Sequence, residues 1–245
     1  MLRAIQNALE SNGQSLKEKD ILVVASKVFS YSERRLVEVG NSKQDTGHRT
    51  QDTENSKQTQ NLSFQEIVRG EADRVFGEGD MVITLKNKIL IPNAGIDNSN
   101  TPKGTVILWP KDPFGSARAF QSKLKKRFNL KKLGIVISDS HCQPLRSGTT
   151  GITIGWAGFE GVQDVRGKKD LYGKKMTYTQ IAVADDLASA ANILMGETDA
   201  SMPFVIVRDA PVKFTEKKFS EKDYFISPKE CIYTGFYSDD LKKRF

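Results

Sequence analysis

The hydrophobic and polar positions of this chain fall into well-separated blocks. Residues 1–20, MLRAIQNALESNGQSLKEKD, have the spacing of an amphipathic helix. ILVVASKVF, residues 21–29, is a short apolar run typical of a buried strand. A helix is expected over about 62–76 (LSFQEIVRGEADRVF), and a strand pair over about 80–92 (DMVITLKNKILIP) that turns near Asn87. GTVILWP, 104–110, reads as a further strand. KDPFGSARAFQSKLKKRF then starts a helix near Pro113, because proline is favoured in a first turn. LGIVIS, 133–138, is a buried strand that ends on Asp139. YTQIAVADDLASAANILM, 178–195, is strongly helical and stops at Gly196. FVIVR, 204–208, is another buried strand, and the mixed, basic C-terminal residues hold one expected strand near 231–236. Strands and helices interleave, so the class is α/β or α+β with mixed sheets.

One block differs from all the others. Residues 40–61, GNSKQDTGHRTQDTENSKQTQN, contain no aliphatic or aromatic side chain, and both NSKQ and QDT occur twice in them. Such a segment cannot bury enough surface to offset its ordering entropy, so a mobile polar surface loop is expected. His48 lies inside it and carries no catalytic expectation.

Composition narrows the setting. The 245 residues suffice for one large domain or two small ones, and 38% hydrophobic with 27% charged residues suits a globular protein. No run of 18 apolar residues exists, so no membrane span is expected. The first 20 residues lack the apolar core and cleavage site of a signal peptide. Two cysteines, Cys142 and Cys231, cannot build a disulfide framework or a four-cysteine zinc site. The reading is a cytoplasmic protein with reduced thiols. A net charge of +7 permits nucleic-acid binding, but the basic residues are scattered, with small clusters at 123–127 and 242–244 and no RNP-like aromatic motif. They read as solvated helix faces or as a basic rim that attracts phosphorylated small molecules.

Three polar clusters follow well-marked elements. They are Asp97 with Asn100 in NAGIDNSN, Asp139 and Ser140 past the strand at 133–138, and Glu197, Thr198 and Asp199 past the helix end. Loops past strand ends commonly hold ligands. Two or three acids from separate loops, with a hydroxyl from Ser140, would suit magnesium or manganese bound together with nucleotide phosphates. Any one of these acids alone reads more readily as a turn acid or a helix cap. No Walker-type or G-x-G-x-x-G run is present, so a nucleotide would need another cradle. His141 and Cys142 are neighbours in an extended segment and point in opposite directions, so they do not read as a Cys–His pair.

NAGIDNSN, WPKDPFGSARAF, GIVISDSHCQPLRSGTTGITIGWAGF, DVRGKKDLYGKKMTYTQIAVADDLASAANILMG and PFVIVRD occur in that order. Together they resemble the γ-glutamyl ligase family of the deazaflavin coenzyme F-420, over roughly residues 20–209. The resemblance implies an α+β fold with mixed sheets and flanking helices, in an intertwined homodimer with the site near its interface. One ligase-like domain over 1–245 is expected, in one lobe or two, with 210–245 as its C-terminal extension. It implies GTP as co-substrate, two sites for Mg²⁺ or Mn²⁺, and glutamate joined by an amide bond to a carboxylate of an acidic acceptor through an acyl phosphate.

Matched by position, Asp97 and Asp139 would hold one metal, and Ser140 and Glu197 would serve a second. Ser30, Asn100 and the run Met195, Gly196, Thr198, Asp199, Ala200, Ser201 and Met202 would line the nucleotide. Arg146 and Arg166 are the candidates for gripping an acidic substrate, since guanidinium forks pair with carboxylate or phosphate; structural ion pairs are their other reading. Departures are expected too. The family pattern opens with a Gly-Ile-Pro-like stretch and a Gly-Asp-Asp motif not seen here, and Ser30-Tyr31-Ser32-Glu33 lacks the family's lysine after the strand-end serine. Two other classes stay open: a non-catalytic nucleotide- or metabolite-binding homodimer that kept the fold, and, ranked last, an RNA-binding protein.

Overall fold

The apolar runs near 21–25, 134–137, 152–157 and 204–207 join in one sheet of the computed structural model, which describes residues 1–40 and 62–236. In chain order the first elements are α1 (Leu2–Ser11), β1 (Ile21–Ala25), α2 (Ser26–Ser32), β2 (Leu36–Glu38), α3 (Phe64–Glu71) and β3 (Arg74–Phe76). Next come β4 (Ile83–Lys86), β5 (Ile89–Pro92), β6 (Thr105–Ile107) and α4 (Pro113–Phe128). The chain continues through β7 (Gly134–Cys142), β8 (Thr149–Ala157), β9 (Gln163–Asp164), β10 (Gln180–Ile181), α5 (Val183–Met195) and β11 (Phe204–Val207). This is the expected α+β class with mixed sheets.

The large sheet has the order β11-β1-β7-β8. β1 and β7 run parallel, with Val24 opposite Ile137 and Ala25 opposite Ser138, while β11 and β8 are antiparallel to their neighbours. Both faces of this sheet are covered, which is why its strands are apolar almost throughout. Leu22, Val24, Ile135 and Ile137 share a core with Ile5 and Leu9 of α1 and Phe120 and Leu124 of α4. The alternate residues Ile21, Val23 and Val136 pack with Ala184, Leu187 and Ala188 of α5 and with Phe219. Gly151 lets α5 settle onto β8, since a Cβ there would overlap the Ala188 carbonyl oxygen. A smaller core of Ile67, Val68, Val82, Ala94, Ile96 and Val106 joins α3, the β3-β4-β5 sheet and β6.

Several expected boundaries hold. Asp112 caps α4 by accepting from the Gly115 amide at 2.8 Å, and Pro113 is the first helical residue. Asn87 and Lys88 are both left-handed, as a two-residue hairpin turn of this type requires. α5 ends at Gly196. Leu124 of the KLKKR run is buried while Lys123, Lys126 and Arg127 are exposed, the pattern of a solvated helix face. Among the described residues no helix is long and apolar enough to cross a membrane.

Other boundaries move. β1 stops at Ala25 and the chain turns into α2, so Val28 and Phe29 reach the core from a helix and not from a strand. The helix expected to 76 ends at Glu71, and residues 74–76 pair with β4 instead. The helix expected from 178 begins at Val183, because Gln180 and Ile181 pair with β9. The strand expected to end on Asp139 continues to Cys142, since Asp139–Cys142 pair with residues 149–152 of β8. Residues 231–236 form no strand; Thr234–Phe236 is a short 3₁₀ turn. Residues 41–61, with His48, and the 242–244 cluster lie outside the described residues.

Candidate active site

Because β1 and β7 are parallel neighbours, their carboxyl ends open at the same edge of the sheet. Ligands in sheets of this kind gather past such ends. A cleft of about 500 Å³ lies there. It is walled by Ala25–Val28, by Asp97 and Asn100, by Ser138–Ser140 of β7, and by residues from the end of α5 to Pro203.

β7 places two of its polar side chains by simple alternation. Ile135, Ile137 and Asp139 belong to one face, and Ser138 and Ser140 to the other. A bulge at Ile137/Ser138, where β8 carries one extra residue, re-aims the strand just before Asp139. Asp139 then accepts a hydrogen bond from the indole Nε1–H of Trp109, which is buried in the α1/α4 core, and another from the Ser140 amide at 2.9 Å. Burial pushes the Asp139 carboxyl up to about 6; those two hydrogen bonds oppose the rise, and the negative charge of Asp97 adds to it.

The NAGID stretch builds the opposite wall. Asn93, Ala94 and Gly95 are all left-handed, with φ of 48°, 56° and 69°. Ala94 is buried, and its amide donates to Thr84 Oγ1 at 2.8 Å, so the surrounding structure holds the uncommon conformation in place. The chain then delivers Asp97, whose oxygens accept from the Ser99 amide at 2.6 Å, Ser99 Oγ at 2.9 Å and Lys27 Nζ at 2.7 Å. Burial works against the Asp97 charge, but the bonds from Lys27 and Ser99 prevail and hold its carboxyl below the ordinary range. Asn100 reaches over the cleft: its Nδ2 donates to the Thr198 carbonyl at 2.8 Å.

The third wall carries Glu197, directly after Gly196. Its carboxylate accepts from Ser140 Oγ at 2.8 Å, Asn192 Nδ2 at 3.0 Å and Thr149 Oγ1 at 3.1 Å. Three acids from three distant stretches thus line one opening, together with Lys27, which is paired with Asp97.

A family model described as F420-0:Gamma-glutamyl ligase matches residues 1–209. This chain belongs to that family. A coenzyme F420:L-glutamate ligase of Methanothermobacter thermautotrophicus is 33% identical over 214 residues, covering 84% of this chain and 81% of the relative. A protein of the same name from Methanococcus maripaludis is 34% identical over 204 residues, 82% of this chain and 80% of the relative. Another from Methanocaldococcus jannaschii is 38% identical over 167 residues, 67% of this chain and 65% of the relative.

Most residues carried over from the γ-glutamyl ligase pattern meet in the cleft: Asp97, Asn100, Asp139, Ser140, Glu197 and the segment Met195–Met202 apart from Ala200. Ala200 is exposed beside it. Ser30 is buried within α2, where its Oγ donates to the Ser26 carbonyl at 3.2 Å, and it does not line the opening. Arg146 is exposed on the β7–β8 connection, and Arg166 forms a double hydrogen bond with Asp164. Neither arginine lines the cleft of this chain. Sequence reasoning missed Trp109, Ser99, Asn192 and Thr149 as supports of the acids. It gave Lys27 no role, because the partners Asp97 and Ser99 lie about 70 positions away.

The donor chemistry fits a divalent cation that arrives with a phosphate ligand. Among the described residues, no three or more His, Cys, Asp or Glu side chains form a cage by themselves. Magnesium rarely needs one, since it takes one or two carboxylates together with water and phosphate oxygens. Asp97 and Asp139 offer hard oxygens and repel each other, a cost that a cation between them would remove. Ser140 and Glu197 offer a second such pair.

Proposed function

We propose that this protein is a GTP- and divalent-metal-dependent ligase. It would form an amide bond between L-glutamate, or a similar amino acid, and a carboxylate of an acidic acceptor such as the coenzyme F-420 precursor. The observation that carries the reading is the convergence of Asp97, Asp139 and Glu197 on one cleft past the parallel strand ends, in a member of the γ-glutamyl ligase family.

In the first step an acceptor carboxylate oxygen attacks the γ-phosphorus of GTP; the bond to the β-phosphate oxygen breaks, giving an acyl phosphate and GDP. The glutamate amine then attacks the acyl carbon, loses a proton, and inorganic phosphate leaves. Bound Mg²⁺ or Mn²⁺ would supply neutralisation and alignment of the phosphoryl oxygens. Asp97 with Asp139, and Ser140 with Glu197, would hold these ions. Asn100 and the Gly196–Met202 segment would line the nucleotide, and the bond between Asn100 and Thr198 ties those two walls together. Arg146 and Arg166 would grip acidic groups. Since neither lines its own chain's cleft, they would serve a site near a homodimer interface.

Exposed apolar side chains support such a dimer. Leu171 and Tyr172 lie at the tip of the β9–β10 connection, and Tyr178 is nearby; all three are at least 90% exposed. Replacing Leu171 and Tyr172 together by aspartate is expected to convert the dimer to monomer in analytical ultracentrifugation. A dimer that persists would move the interface elsewhere.

The proposed activity is tested by phosphate release from GTP with Mn²⁺. Release that rises when glutamate and an acidic acceptor are both added, with a product heavier by one glutamyl residue, is the expected result. GTP binding without turnover under any of these conditions would favour the non-catalytic nucleotide-binding homodimer.

A further inference from the structure

We infer that the Lys27 ammonium is a resident cation of the Asp97 loop, exchanged for the divalent ion when nucleotide arrives. Lys27 is then a positioning residue that couples metal binding to nucleotide binding. The inference rests on the ligase reading above.

Lys27 stands in the first turn of α2, directly past β1, and its side chain is only 27% exposed. An ammonium group has three donors and no acceptor. Three oxygens surround this one: Asp97 Oδ2 at 2.7 Å, Ser99 Oγ at 2.7 Å and the Ser99 carbonyl at 3.2 Å. Every donor is therefore used within one loop. A carboxylate, a hydroxyl and a carbonyl are also the hard oxygen donors that Mg²⁺ and Mn²⁺ select. The free protein thus keeps a monovalent cation on the oxygens that would meet the metal.

A divalent ion cannot share Asp97 Oδ2 with the ammonium without close like-charge contact, so the ion alone has to displace Lys27. With nucleotide present the displaced ammonium gains a new partner. Lys27 lines the same cleft as Asn100 and Glu197, and its flexible four-carbon stem keeps the charge within that space, where phosphate oxygens accept readily. Metal should then bind weakly alone and much more tightly with GTP. The arrangement also keeps Asp97 charged and shaped by its Ser99 bonds in the absence of metal.

The test measures Mn²⁺ affinity of the full chain by electron paramagnetic resonance, with and without GTP, for the wild type, Lys27→Met and Lys27→Gln. Lys27→Met is expected to bind Mn²⁺ alone about tenfold or more tightly than wild type, and the enhancement by GTP should shrink by a similar factor, within the usual range of site coupling. Lys27→Gln keeps a neutral hydrogen-bonding group on the loop and should fall between the two; it also guards against a fold defect in the methionine variant. Mn²⁺ affinity unchanged or lowered in both variants would overturn the exchange, because a lysine that only props the loop leaves a poorer metal site when removed. If the wild type binds no Mn²⁺–GTP at all, the ligase reading fails and the inference falls with it. If the wild type binds Mn²⁺–GTP and the variants match it towards Mn²⁺ alone, only the exchange fails.

Discussion

Replacing Asp139 by asparagine is expected to abolish tight metal–nucleotide binding while making the metal-free protein more resistant to heat. The two effects share one cause. Asp139 sits under Trp109, one residue past the parallel pairing of β1 and β7, where burial and the charge of Asp97 make ionisation costly. Its folded-state carboxyl is raised to about 6, so the unfolded chain loses that proton more readily than the folded one. The resulting destabilisation is absent below about pH 4, where both states are protonated, grows between about pH 4 and 6, and is complete above that range. At about 1.4 kcal/mol per pH unit the ceiling is about 3 kcal/mol, and partial exposure of the side chain lowers it. Asparagine removes the charge and can still accept from the indole. At neutral pH a melting temperature higher by roughly 2–6 °C is expected, with no gain at acid pH. Affinity for Mn²⁺–GTP should fall by roughly 100-fold or more, as loss of a charged partner implies. Calorimetry for binding and thermal melts at two pH values check both arms. Binding retained in the variant would remove Asp139 from the proposed metal set.

The second large effect concerns Gly95. It closes the left-handed run at 93–95 with φ 69°, and a Cβ there would come within 2.2–2.6 Å of three Trp109 indole atoms. Trp109 is buried in the core between α1, α4 and the sheet, so it has no free space to yield. Gly95→Ala therefore combines left-handed strain with overpacking, an expected loss of about 2–4 kcal/mol in urea unfolding. Displacement of the indole also withdraws the donor to Asp139, so metal–nucleotide affinity should fall in a residue that never touches the ligand. The cost of Gly95→Ala should shrink markedly in a Trp109→Ala background, because the clash is gone. An equal cost in both backgrounds would show that the indole contact is not the cause.

These two positions mark what the sequence could and could not display. Strands such as 133–138 were legible because both faces are covered, leaving an unbroken apolar run. The start of α4 was legible from Pro113, which suits a first turn, and the end of α5 from Gly196, whereas the capping box at Ser63 emerged only from the structure. Extension of β7 through Asp139–Cys142 was hidden because its partners there are Thr149, Thr150, Gly151 and Ile152, a mostly polar pairing with little hydrophobic period to detect. The turn of ILVVASKVF into a helix at Ser26 was hidden for the opposite reason, since apolar residues reach the core from either element. The three acids were found as separate loop signals, and their meeting was hidden because β7 places Asp139, a bridge to Ile107 places Asp97 and the end of α5 places Glu197. The supports Trp109 and Lys27 left no local trace, because each contacts an acid 30 or more residues away.

Calorimetric titration of GTP, with ATP as comparison, in the presence and absence of Mn²⁺ tests the central claim most directly. The account predicts tight GTP binding that requires Mn²⁺ and is lost in Asp139→Asn. Binding of neither nucleotide with the metal present, or equal GTP affinity without it, would contradict the account.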